Sequence, residues 1–181
     1  MTKNRAPLVV RTTLCLLLAA SSALAQRQAA PRLSLRGRGR TLVLQVGGRA
    51  HALKLAGDKI DAARLEHAEI VFATRRPDFT YLLVDVCGWS KPRQDERHCG
   101  LGTECNLLWL KLTTAWRVAD ARSARYLSCW YPTSNKEFQI KGRTLSVEYS
   151  DYHAEQKTLL TYDADQPERG FTLAASPLAQ N

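Results

Sequence analysis

Cys105-Asn106-Leu107-Leu108-Trp109-Leu110-Lys111-Leu112-Thr113 is the stretch that decides the fold. Leu108, Leu110 and Leu112 recur at every second position, with Trp109 and Lys111 between them. A period of two marks a strand, because successive side chains point to opposite faces of a sheet. Upstream, residues 79–86 (Phe-Thr-Tyr-Leu-Leu-Val-Asp-Val) form a second strand, rich in residues that suit a pleated surface. Between the two lies a loop of 17 residues, 88–104. Cys87 ends one strand and Cys105 begins the next, so antiparallel pairing places the two cysteines face to face at the base of the loop.

The same signals continue in both directions. Leu42-Val43-Leu44-Gln45-Val46 meets Gly47-Gly48, and residues 50–55 follow, which is a hairpin signature. Asp58 can cap a short helix over 61–66, and the reading allows at most one short helix, near 58–66. Residues 69–74 and 79–86 flank a turn at Arg75-Arg76-Pro77-Asp78. Beyond the deciding stretch, strands are expected at 115–119 and 125–131 around a turn at 120–124. Others are expected at 136–140, 144–149, 158–162 and 171–174. The expectation is an all-β chain, an antiparallel meander that folds as a sandwich or closes as a barrel-like single domain to hide its edges.

The N-terminus reads as an export signal. Lys3, Arg5 and Arg11 form a basic region without acids, a short apolar run follows from Leu14, and Ala23-Leu24-Ala25 fits a cleavage site. The apolar run falls short of the roughly 20 residues a spanning helix needs. The expected organisation is a cleavable signal peptide at 1–25 and a flexible Arg-rich arm at 26–40. A single β-rich domain then covers 41–174, and a disordered tail 175–181. The expected location is periplasmic or extracellular, with no integral membrane segment in the mature chain.

The formal charge of +9 is unevenly spread. Residues 26–40 carry five arginines and no acid, while 41–181 hold 18 basic and 17 acidic residues. The body is therefore nearly neutral and the basicity belongs to the arm. A basic arm can meet polyanions by counterion release, but export sets nucleic acid aside as a partner.

Of five cysteines, Cys15 lies in the leader, leaving Cys87, Cys99, Cys105 and Cys129. An even number in an exported chain points to disulfides. The preferred pairing is Cys87–Cys105 with Cys99–Cys129. The alternative is Cys99–Cys105 with Cys87–Cys129. His98 with Cys87, Cys99 and Cys105 is a weaker zinc pattern, since the spacing is not a Cys-x-x-Cys pair. Asp163-Ala164-Asp165-Gln166-Pro167-Glu168 resembles a calcium loop but lacks the established spacing. No cofactor or metal is expected.

The loop 88–104 holds the candidate site, because long loops on rigid scaffolds tend to carry function. Trp89 is a contact anchor, and Lys91, Arg93, Arg97, His98 and Glu104 supply charge around it. The expected function is binding of a protein or a glycan by an exported, disulfide-stabilised β-domain, as an interaction module of the inhibitor-like class. The first alternative is a secreted hydrolase with its site near Ser90, His98 and Glu104. It is disfavoured because Ser90 lacks the flanking glycine of a nucleophile elbow. The second is a non-catalytic structural protein of the cell envelope.

Overall fold

Every second residue of the 105–113 stretch faces one core, and the residues between face another. The computed structural model describes residues 33–38, 41–55, 59–60, 62–91, 102–130, 133–135, 138–151 and 155–178. They lie in one compact unit, Arg32–Asn181. The elements in chain order are β1 (Leu33–Arg38), β2 (Thr41–Val46), β3 (Arg49–Leu53), β4 (Ala62–Arg75), β5 (Phe79–Ser90), β6 (Thr103–Thr113), β7 (Val118–Leu127), β8 (Thr133–Asn135), β9 (Gln139–Lys141), β10 (Thr144–Asp151), β11 (Gln156–Asp163) and β12 (Phe171–Pro177). A 3-10 turn, Pro167–Arg169, is the only helical element among the described residues. No helix among them is long and apolar enough to cross a membrane.

Among the described residues all pairings are antiparallel, in three sheets: β1-β2-β3, β4-β5-β6-β7 and β12-β11-β10-β8, with β9 also on β10. The middle sheet is covered on both faces. On one, Leu82, Val84, Val86, Leu108, Leu110 and Leu112 meet Leu42, Leu44 and Leu53 of the first sheet. On the other, Tyr81, Leu83, Leu107 and Trp109 meet Leu145, Val147, Leu160 and Tyr162 of the third. This explains why β5 and β6 read as nearly unbroken apolar runs, a pattern otherwise typical of buried strands in parallel sheets. The meander is thus a stack of three sheets around two cores.

The segment from Asp163 to Gly170 ties the third sheet to the middle one. Trp109 donates its indole N–H to the Pro167 carbonyl at 2.8 Å. Thr74 Oγ1 and Arg143 Nη2 both donate to the Ala164 carbonyl, at 3.0 and 2.9 Å. Arg143 pairs with Asp165, and Arg76 pairs with Glu168 at 2.8 Å. Two of the calcium-like acids, Asp165 and Glu168, are therefore held by arginines, while Asp163 Oδ1 accepts from the Asp165 N–H at 2.8 Å. Burial pushes the neighbouring Tyr162 hydroxyl up to about 12.

Four expectations need correcting. Residues 62–66, read as helical, begin strand β4, while Asp58 and Asp61 lie outside the described residues. The apolar positions at Ala62 and Leu65 mimic a helical period because β4 is bulged between Ala62 and Arg64 and again between Leu65 and His67. Leu33–Arg38, placed in the arm, pairs with β2 along its whole length. Residues 120–124, read as a turn, are continuous strand within β7, and the reversal sits at residues 114–117. Strand β12 runs on to Pro177, past the boundary expected at 174.

Candidate functional site

The root of the long loop is built by register. Trp89 pairs with Thr103, Gly88 with Glu104 and Cys87 with Cys105, and the Ser90 N–H then donates to the Gly102 carbonyl at 2.9 Å. Two directly opposed cysteines can bond across a ladder, and Cys87–Cys105 is a disulfide with Cα atoms 4.2 Å apart. The expected pairing at this position is present. Cys129 is also disulfide-bonded, and Cys99 lies outside the described residues. Because the sulfurs of Cys87 and Cys105 are spent on each other, they are not available to a zinc ion.

Alternation along β5 sends Asp85, Cys87 and Trp89 to one face and Val86, Gly88 and Ser90 to the other. On the first face, Trp89 is 37% exposed. Its indole N–H donates to the Glu66 carboxylate, which fixes the ring while leaving part of it in solvent. Below it, Tyr126 donates to Asp85 Oδ1 at 2.8 Å, and its oxygen lies 3.6 Å from Cys87 Sγ. His67 Nε2 sits 3.7 Å from Asp85 and 3.6 Å from Glu69. Burial raises the Asp85 carboxyl above the usual carboxylate range, opposed by the Tyr126 hydrogen bond. Burial likewise raises the Tyr126 phenol, reinforced by the Asp85 charge.

On the second face, Glu104 is 2% exposed and Ser90 5% exposed. Glu104 Oε1 accepts from Ser90 Oγ and from Ser128 Oγ, both at 3.1 Å. Ser128 Oγ in turn accepts from the Trp130 N–H at 3.1 Å. Glu104 Oε2 is buried without a hydrogen-bond partner. This trio locks the root of the loop. It also commits the Ser90 proton to a buried carboxyl, so the hydroxyl of the hydrolase reading faces inward.

Of the six residues expected to bind, Trp89 and Lys91 stand together at the loop root, exposed and half-buried respectively. Glu104 points into the interior instead. Arg93, Arg97 and His98 lie outside the described residues. The group at Asp85, His67, Glu69 and Tyr126 has no local signal in the sequence, because only the bulged register of β4 sets His67 opposite Cys87. Among the described residues no group of three or more histidine, cysteine or acidic side chains is placed to hold a metal ion. Compared with protein-family models, curated proteins and solved structures, the chain finds no match.

Proposed function

We propose that this chain is an exported binding module that engages a protein or glycan through the loop expected at 88–104, whose two ends belong to β5 and β6, with Trp89 as the anchor. The observation that carries this reading is the state of Trp89. It is a partly exposed indole, fastened through its N–H to Glu66, at the root of a loop whose ends are joined by Cys87–Cys105. Tryptophan is enriched among residues that dominate binding energy. A ring held in place before contact loses less entropy on binding. A disulfide suits an oxidising compartment, in keeping with the basic and apolar leader. We assign Cys99 as the partner of Cys129, a second staple that would bind the loop to the segment after β7. Peptide mapping without reduction tests that pairing.

The functional test compares the chain with Trp89→Ala and with a variant lacking residues 89–98, probed against a glycan panel and an envelope extract. Trp89→Ala leaves the ladder intact, so a lost partner reports on the contact. Recoveries identical for all three proteins would rule the loop out as the binding element.

A further inference from the structure

The sheet edges of this fold are protected unequally. Strand β4 is bulged at three places and carries Arg64, Glu66 and Glu69. Strand β7 has two register shifts and carries Asp120, Arg122 and Arg125. Strand β3 is five residues long and includes Arg49, and β8 and β9 are three residues each. Short length, bulges and charge are the devices that keep edges from pairing with other chains. Strand β12 (Phe-Thr-Leu-Ala-Ala-Ser-Pro) has no charged residue, and its seven pairs with β11 run without a shift. Among the described strands it pairs with β11 alone.

The direction of its backbone groups follows from one hydrogen bond. The Leu178 N–H donates to the Glu155 carbonyl at 2.9 Å, continuing the β11–β12 register. Since backbone groups alternate sides along a strand, Thr172, Ala174 and Ser176 face β11. Phe171, Leu173 and Ala175 therefore direct their N–H and C=O groups outward, and Pro177, with no N–H, ends the run. The side chains of these three residues share a face with Leu160 and Tyr162, their buried neighbours on β11. Phe171 packs against that core, but Leu173 is 53% exposed. The core face is unfinished at this edge.

We propose that β12 is the pairing edge of a symmetric dimer, formed with a second copy of this chain. Antiparallel pairing centred on Leu173 sets Leu173 opposite its own symmetry mate and Phe171 opposite Ala175. The same outward groups then supply both sides, as a two-fold interface requires. The register joins apolar to apolar, brings no like charges together and leaves Pro177 outside the paired window. It makes one continuous sheet from the third sheets of two molecules and covers Leu173. This inference stands apart from the proposed function, because β12 contributes nothing to the loop root.

Sedimentation velocity on the purified full chain over a concentration series, with amide exchange followed by NMR, tests the proposal. The expected result is a monomer–dimer equilibrium. The Phe171, Leu173 and Ala175 amides gain protection as concentration rises, while those of Thr172 and Ala174 are protected throughout. Leu173→Lys and Ala175→Lys each place a charge in the paired window and raise the dissociation constant by roughly tenfold or more. Both substitutions are at exposed sites, and both variants retain the leader, so a difference from the parent isolates β12. A chain that stays monomeric, with those three amides exchanging like loop amides, overturns the proposal. Self-association equal in the parent and both variants overturns it too, as does pairing of β12 with a foreign strand in place of a second copy.

Discussion

Trp109 and Pro167 are joined by a 2.8 Å hydrogen bond from the indole N–H to the main-chain carbonyl, 58 positions apart in sequence. The ring is fully buried, and the Arg122 guanidinium lies 5.1 Å from its centroid. Arg122 also donates to the Arg169 carbonyl at 3.1 Å. One side chain of the middle sheet thus serves as both core and clasp. Trp109→Phe retains much of the core but leaves the Pro167 carbonyl without its donor. Unfolding in urea should show a loss of about 1–3 kcal/mol. Trp109→Ala should cost about 3–5 kcal/mol.

The Ser90–Glu104–Ser128 trio predicts a strongly non-additive pair. Each single serine-to-alanine change leaves one hydroxyl on Glu104 Oε1 and costs on the order of 1 kcal/mol. The double variant strips a buried carboxyl of both donors and should lose more than the sum, by roughly 0.5–3 kcal/mol. A double-mutant cycle by chemical denaturation measures the coupling. Zero coupling would mean that the carboxyl is hydrated in place of being held by the hydroxyls.

Two acids should give pH dependences of opposite sign. The folded Asp85 carboxyl is raised above its ordinary 3.8 by burial. It therefore binds its proton more tightly in the folded than in the unfolded state, and stability falls as pH climbs from that value through the folded one. Asp85→Asn, which keeps an acceptor for Tyr126, should remove this fall. Glu168 is lowered from 4.5 by its hydrogen bond with Arg76. Its contribution is present above the ordinary value and is lost as pH drops through the folded one. Glu168→Gln should flatten that limb. Stability curves of the parent and both variants across the carboxylate range check the two signs together.

Two glycines should resist alanine for different reasons. A Cβ on Gly88 would lie 2.0 Å from the Arg64 carbonyl oxygen. Gly88→Ala must therefore push β4 away from β5, at roughly 1–3 kcal/mol or more. Gly48 has open space around it but sits at φ +85° in the β2–β3 turn. Gly48→Ala should cost roughly 1–2 kcal/mol through backbone conformation alone. Thermal unfolding gives both values. Amide exchange along β4 should quicken only in Gly88→Ala.

The elements legible in the sequence are those where local pattern and tertiary surroundings agree. Leu108, Leu110 and Leu112 alternate cleanly because an apolar layer lies under that face, and Cys87 and Cys105 flank the loop because the ladder sets them opposite each other. Strand β4 is hidden because it is an edge, with Arg64, Glu66 and Glu69 in its sequence and bulges that break its period. Strand β1 is hidden by arginines that flank its two leucines. At the site, Trp89 stands out by residue type. The inward turn of Glu104 does not, since it depends on Ser128, 24 positions away.

The disulfide at the loop root also sets how the domain responds to mechanical load. Force applied between Lys91 and Gly102 tugs β5 and β6 at the same end, so their hydrogen bonds would open in succession, as a zipper does. Between the loop and the ladder's buried length stands the Cys87–Cys105 bond, only two positions inward from Trp89 and Thr103. Peeling stops there, and further force is carried by a covalent link to both strands at once. Load entering at Trp89 and Thr103 is then borne without opening the cores beneath them.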